Sequence, residues 1–306
     1  TAIAMGEALT RDLVNTPASD MGPAELEAAA TALAQDFGAT ITAIRGDDLL
    51  AQNFPMIHAV GRASNRAPRL IDIVWGRPSA PKVTLIGKGV CFDSGGLDLK
   101  PAAGMLNMKK DMGGAATVLA VASMVMAAKL NLRLRVLNPV ITSRKGTTVE
   151  IGNTDAEGRL IMCDALTEAV REEPALVVDV ATLTGAARVA LGPDLPALFC
   201  NDDAAAEALL KSGREREDQL WRMPLWRGYR RFLDSKIADI NNAGQTPFGG
   251  AITAALFLQE FVPDSVPWMH IDTMAWNQGQ PGRPEGGEAM GARALFAMLT
   301  ERYPKR

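Results

Sequence analysis

Lys82-Val-Thr-Leu-Ile-Gly-Lys-Gly-Val-Cys-Phe-Asp-Ser-Gly-Gly96 reads as a short apolar strand that runs at once into a glycine-rich loop carrying Lys88 and Asp93. Working outward from it, Val83 to Ile86 is followed by a helical pattern over Gly114 to Ala128 and an extended run over Leu132 to Ile141. A helix over Leu160 to Arg171 and a strand over Ala175 to Val180 come next. Upstream, Pro23 to Phe37 opens with a helix-starting proline and stops before Gly38, while Thr40 to Ile44 and Leu70 to Trp75 are β-rich. Downstream, helices are expected near Asp203 to Ser212, Leu225 to Leu233 and Ala251 to Phe261, then a strand at Trp268 to Asp272 and a closing helix from Glu288 to Leu299. This alternation predicts an α/β fold with a mixed, largely parallel central sheet flanked by helices on both faces. No long linker, repeat or low-complexity tract breaks the chain, so residues 1–306 read as one domain, with 1–80 as its N-terminal α/β portion. The Gly- and Pro-rich segments Asn242 to Gly250 and Gly279 to Gly287 read as loops over a site or an interface.

The 306 residues are 47% hydrophobic and 22% charged, the balance of a globular protein. A net charge of -3 offers no basic face for displacing counterions, which argues against nucleic acid as a main partner. Cys91, Cys163 and Cys200 are odd in number, far apart and without a CxxC pair, so neither a disulfide framework nor a thiolate zinc site is expected, and a reducing cytoplasm fits. The longest apolar run, Gly113 to Ala128, is shorter than the roughly 20 residues a bilayer span needs and reads as a buried helix. The first residues place charge inside what would be the apolar core of a secretion signal, so none is expected, and a start without Met suggests residues upstream.

Chemistry concentrates in Asn153-Thr-Asp-Ala-Glu-Gly-Arg-Leu160, which packs two carboxylates, a guanidinium and a glycine into eight positions. In an extended segment Asp155 and Glu157 leave the backbone on one face. Two like charges about 4 Å apart repel by roughly 4 kcal/mol at a protein-surface dielectric, so such a pair calls for protonation, water or a cation. The bland alternative is a capping turn before the helix. Asp93, past the end of a strand where ligands gather, and Asp111, ahead of the Ala-rich helix, taken singly read as turn or cap residues. Converging, Asp93, Asp111, Asp155 and Glu157 would carry a charge that two divalent ions neutralise. Lys88 could ligate only as the neutral amine, at a cost of about 5 kcal/mol unless a metal supplies it. A phosphate-binding GxxxxGK[ST] loop is absent because Gly89 follows Lys88. A two-metal phosphoesterase, or a binding protein with a dead site, remains open on these residues alone.

Gly87-Lys-Gly-Val-Cys-Phe-Asp-Ser-Gly-Gly96, Lys100-Pro101, Asp111-Met-Gly-Gly-Ala-Ala116 and the octet at 153–160 together resemble the leucyl aminopeptidase family, peptidase family M17. The similarity runs from Arg11-Asp-Leu-Val-Asn-Thr-Pro17 through Ala181-Thr-Leu-Thr-Gly185 and Trp221-Arg-Met-Pro-Leu-Trp226 to Gly250-Ala-Ile-Thr-Ala-Ala255. It covers the family's catalytic domain, whose zinc-exopeptidase-like or phosphorylase/hydrolase-like α/β/α sandwich it implies. Members usually carry a further N-terminal α/β domain, which this chain is expected to lack, and assemble as hexamers. The resemblance implies release of N-terminal residues from short peptides, with two zinc or manganese ions per subunit. It makes Asp93 and Glu157 bridging ligands, Lys88 and Asp111 ligands of one ion, and Asp155 a ligand of the other. Lys100 would stabilise the oxyanion and Arg159 would hold a bicarbonate acting as general base. Met108, Thr182, Leu183 and Gly185 would line the substrate site. Family members commonly read His-Leu-Asp-Ile-Ala-Gly on the last strand, whereas this chain reads His270-Ile-Asp-Thr-Met-Ala275, so Met274 would reshape the side-chain pocket.

Outside that set, His58 and His270, in apolar surroundings, are expected to be structural, and their scarcity excludes a histidine zinc site. Met105, Met112, Met124 and Met126 read as core filling, and Cys91 as an inert thiol. Arg214, Arg216, Arg222, Arg227, Arg230 and Arg231, interleaved with acids, read as a solvated face or subunit contact, toward which Trp221 and Trp226 tilt.

Overall fold

A computed structural model describes residues 1–138, 144–280 and 282–305. Among them, eight strands build one sheet: β1 (Thr40–Arg45), β2 (Arg69–Trp75), β3 (Lys82–Gly87), β4 (Arg133–Asn138), β5 (Leu176–Ala181), β6 (Ala197–Cys200), β7 (Trp221–Arg222) and β8 (Trp268–Asp272), in the order β1-β2-β4-β3-β5-β8-β6-β7. The centre β4-β3-β5-β8 is parallel, while β1, β2 and β6 join antiparallel. Central strands buried on both faces carry no polar alternation, which is why Val83 to Ile86 and Leu176 to Ala181 are apolar but for the buried Thr84 and Asp179.

Side chains alternate between two cores across this sheet. Val83, Leu85, Val178 and Val180 face one layer, with α1 (Ala2–Asn15), α2 (Pro23–Asp36) and α3 (Gly113–Ala128). Ile86, Val177, Ala181 and Trp268 face the other, with α4 (Glu157–Val170). The expected α/β architecture is therefore present. With the turn before it, α3 gives a 21-residue helical segment apolar enough by composition to cross a bilayer, yet 89% of its most apolar window is buried in the fold.

Several boundaries differ from the expectation. The strand expected over Leu132 to Ile141 spans Arg133–Asn138, and 139–141 lie outside the described residues. Leu225 to Leu233 yields a 3-10 helix at Arg227–Leu233. The closing helix starts at Ala292, not Glu288, because Gly291 turns with φ 83° and the remote Asp218 carboxylate accepts from the amides of Gly291, Arg293 and Ala294 at 2.9, 2.8 and 3.1 Å. β6, β7 and α1 were not expected at all.

α1 lies against α3 and is latched to the far end of the chain. The Gly287 amide donates to Asn15 Oδ1 at 2.7 Å across 272 positions, and Arg11 donates to the Gly287 and Pro284 carbonyls at 2.8 and 3.1 Å. Lys109 donates to the Asn15 carbonyl at 2.6 Å, which ties this latch to the segment holding Asp111. The Arg11-to-Pro17 stretch is thus structural.

Gly114 is the second residue of α3, where the helix meets the sheet, and a Cβ there would lie 2.1 Å from the Val180 carbonyl oxygen and 2.8 Å from the Lys88 amide nitrogen. Both neighbours are backbone and cannot swing aside. Gly114→Ala is expected to destabilise the fold by about 1–3 kcal/mol or more, read as a lowered urea midpoint, and an unchanged midpoint would show that the helix can shift freely.

Candidate active site

Three parallel strands end together at this face. Lys88 follows β3, Thr182 follows β5, and Asp272 closes β8. The Lys88 backbone is held on both sides, its amide donating to the Val180 carbonyl at 3.0 Å and its carbonyl accepting from Ala115 at 2.8 Å. Its side chain runs into a clearance left by Gly158, where a Cβ would come within 2.6 Å of Lys88 Cε. There Nζ lies 2.7 Å from Asp111 Oδ2 and 2.8 Å from Glu157 Oε1, and donates to the Thr182 carbonyl at 3.1 Å. Asp111 Oδ1 also accepts from Thr182 Oγ1 at 2.7 Å. Lys100 Nζ reaches Asp93 Oδ2 at 2.7 Å and hydrogen-bonds Asp155, while Asp93 Oδ1 accepts from the Gly95 amide at 2.8 Å.

Asp93, Asp111 and Glu157 are buried, each with a carboxylate oxygen within 4.8 Å of the others. Asp155 is only partly buried and reaches this trio through Lys100, which bridges it to Asp93. The sequence placed Asp155 and Glu157 on one face of an extended segment, and here the structure differs. Asp155 lies in a turn whose amide donates to Asn153 Oδ1 at 2.7 Å, and Glu157 is the first residue of α4, so the acids converge through a turn and a helix start. The turn is stapled by the buried Asn242, whose Oδ1 accepts from Gly152 and Asn153 at 2.8 and 3.2 Å and whose Nδ2 donates to the Asn153 carbonyl at 2.7 Å.

Four acids against the two lysines that touch them leave negative charge in a buried place. Burial, reinforced by Glu157 and Asp93 and opposed by Lys88, pushes the Asp111 carboxyl well above the usual carboxylate range. Burial also pulls on Lys88, but Asp111, Glu157 and Asp93 outweigh it and keep the ammonium above its ordinary value. Among the described residues, Glu157 Oε2 is buried with no hydrogen-bond partner, and Glu157 Oε1 and Asp111 Oδ2 meet Lys88 at contact distance but outside hydrogen-bond geometry. Such orphaned oxygens, hard donors grouped around a lysine, fit divalent cations, with the lysine ammonium standing where positive charge is required.

A cavity of about 750 Å³ opens over these acids. Met108, Thr182, Leu183, Gly185 and Met274, all named from the sequence, line it, as do Lys100 and Arg159. Arg159 Nη1 donates to the Asn242 carbonyl at 2.7 Å, its Nε is buried without an acceptor, and burial pulls the guanidinium down to about 10. The sequence reading missed Asp272, which shapes one wall: Oδ1 accepts from the Leu183 and Thr184 amides at 3.0 and 3.2 Å, and Oδ2 from Thr184 Oγ1 at 2.6 Å. It also missed Lys110 and Arg188, which line the same cavity. The only available signal was a second cation beside Asp111.

Away from the cavity, the buried His270 Nδ1 lies 2.5 Å from Asp179 Oδ1, and Trp268 donates to Asp179 Oδ2 at 2.6 Å, so this histidine is structural, although its Nε2 has no partner. His58 differs from the expected apolar setting, pairing with the exposed Asp47 at 2.8 Å. Burial pushes the Cys91 thiol up to about 12, which leaves it inert.

The chain matches the family model described as "Cytosol aminopeptidase family, catalytic domain" over residues 8–141 and 136–296. A "Probable cytosol aminopeptidase" of Syntrophotalea carbinolica is 43% identical over 319 residues, covering 98% of this chain and 64% of its own length. "Peptidase B" of Serratia proteamaculans is 41% identical, covering 94% of this chain and 73% of its own. Among solved structures, the cytosol aminopeptidase of Coxiella burnetii superposes with a TM-score of 0.96 at 52% identity over 99% of this chain and 69% of that one. The bottromycin maturation enzyme BotP, in complex with Mn, gives 0.93 at 38% identity over 98% and 70%. Identity at this level, over alignments that span nearly the whole chain, places the chain in the cytosol aminopeptidase family, as its catalytic domain.

Proposed function

We propose that the protein is a cytoplasmic two-metal aminopeptidase that releases the N-terminal residue of short peptides. The observation that carries this reading is the buried Asp93, Asp111 and Glu157 trio, short of positive charge, at the floor of an open cavity with Lys100 at its side. Asp93, Asp111, Asp155 and Glu157 would hold two divalent ions, with Lys88 joining as a neutral-amine ligand once the arriving positive charge displaces its proton, and the manganese in the BotP structure makes manganese, beside zinc, a candidate. Bound there, such ions supply Lewis-acid polarisation of the scissile carbonyl, a more acidic water and an anchor for the free α-amine.

Lys100 presents its ammonium to the oxygen on which negative charge develops, an interaction worth several kcal/mol of barrier when it is made only in the transition state. Arg159, with Nε turned to no acceptor, is the residue that would hold a bicarbonate. The loop after β5, held from below by Asp272, offers Thr182, Leu183 and Gly185 to the peptide backbone, and Met108 and Met274 to the first side chain. We read residues 1–306 as one catalytic unit and a homo-hexamer as its assembly, which light scattering of the native protein would test.

Acetylating the α-amine of a dipeptide is expected to reduce its cleavage to background, because the amide nitrogen no longer has the free lone pair by which an ion would anchor it. Equal rates on blocked and free peptides would remove the exopeptidase reading. Cleavage of a phosphate ester, with aminoacyl amides untouched, would replace it by a phosphoesterase on the same acids.

A further inference from the structure

Five cationic side chains line the cavity, and three of them are committed: Lys88 and Lys100 to carboxylates, Arg159 to the Asn242 carbonyl. Lys110 and Arg188 are not. Among the described residues neither side chain makes a hydrogen bond or ion pair, although Lys110 is only 8% exposed. The acids nearest to Lys110 are already taken, Asp111 by Lys88 and Thr182, and Asp272 by Leu183 and Thr184. The Lys110 stem is buried while its ammonium opens into the cavity with no acid of the protein's own left to pair with it, an arrangement that fits a counter-charge arriving from outside.

We propose that Lys110, with Arg188 at the rim, selects peptides whose N-terminal residue is acidic, glutamate above all. This rests on the aminopeptidase reading and adds the substrate class. The α-amine and the first side chain branch from one carbon, so an amine held at the acidic cluster brings that side chain to the residue next to Asp111. A glutamyl side chain carries its carboxylate two methylenes out, and Met108 and Met274, which line the same cavity, offer apolar surface to those methylenes.

The test uses the metal-loaded native chain with the p-nitroanilides of glutamate, glutamine and leucine, none of which has a downstream carboxylate. Glutamate and glutamine have nearly the same shape, so their ratio reports charge. A hydrogen bond between charged groups is expected to favour the glutamyl over the glutaminyl substrate by about tenfold or more in kcat/KM. Lys110→Met is expected to bring that ratio to one or below, with the loss mainly in KM, while Lys110→Arg keeps a glutamate preference. Free L-glutamate is expected to inhibit the native protein at lower concentration than L-glutamine. A native ratio of one or less with the leucyl substrate cleaved, or a ratio unchanged in Lys110→Met, would overturn the acidic preference and leave the aminopeptidase reading standing. Failure to cleave all three would overturn the aminopeptidase reading itself.

Discussion

Glu157→Ala is expected to lose divalent-cation binding and to lower aminoacyl-amide hydrolysis by about three orders of magnitude or more, while the fold persists. Glu157 opens α4, a position that alanine accepts without helical penalty, so the backbone has no reason to change. What disappears is a buried carboxylate with one oxygen against Lys88 and the other facing no partner at all. Lys88 would then share its charge with Asp111 alone, and the cluster would fall below the negative charge that two cations need. Metal content by elemental analysis, measured beside circular dichroism and turnover, decides it. Full occupancy together with retained turnover would overturn the assignment of this centre.

Lys100→Met is expected to separate binding from chemistry. The variant should keep its cations, since Lys100 competes with them for Asp93 and Asp155. Its kcat should nevertheless fall by about 10²- to 10³-fold, the usual effect of removing a group that stabilises a developing oxyanion. KM should move far less, because an interaction made only in the transition state does not hold the ground state. Native turnover would leave Lys100 as a charge that merely keeps two acids apart.

Glu157 stands out in the sequence because the octet around it crowds charge into eight positions with little apolar filler, whereas Lys100 takes its role only through family resemblance. β3 and β5 are legible because their mostly apolar runs state their burial directly. The geometry of the site was less legible. The octet singles out Asp155 and Glu157, but the extended face assigned to them is a turn and a helix start, stapled by Asn242 from more than eighty positions away. Asp218 likewise caps the closing helix from a distance of 73 positions. Asp272 showed nothing locally, since its task is to accept amides from another strand's loop. Hydrogen bonds of this kind depend on which segments meet, and local periodicity carries no record of that. Met108 and Met274 were placed through family resemblance, where thioethers alone would have read as core filling.

The latch between Asn15 and Gly287 bears on how the molecule comes into being. A ribosome delivers Gly287 272 positions after Asn15, so α1 meets these hydrogen-bond partners only after the sheet and the helices between them have emerged. Until then α3 is without part of its cover, and nascent chains stalled short of Gly287 will be the forms that chaperones hold and proteases cut.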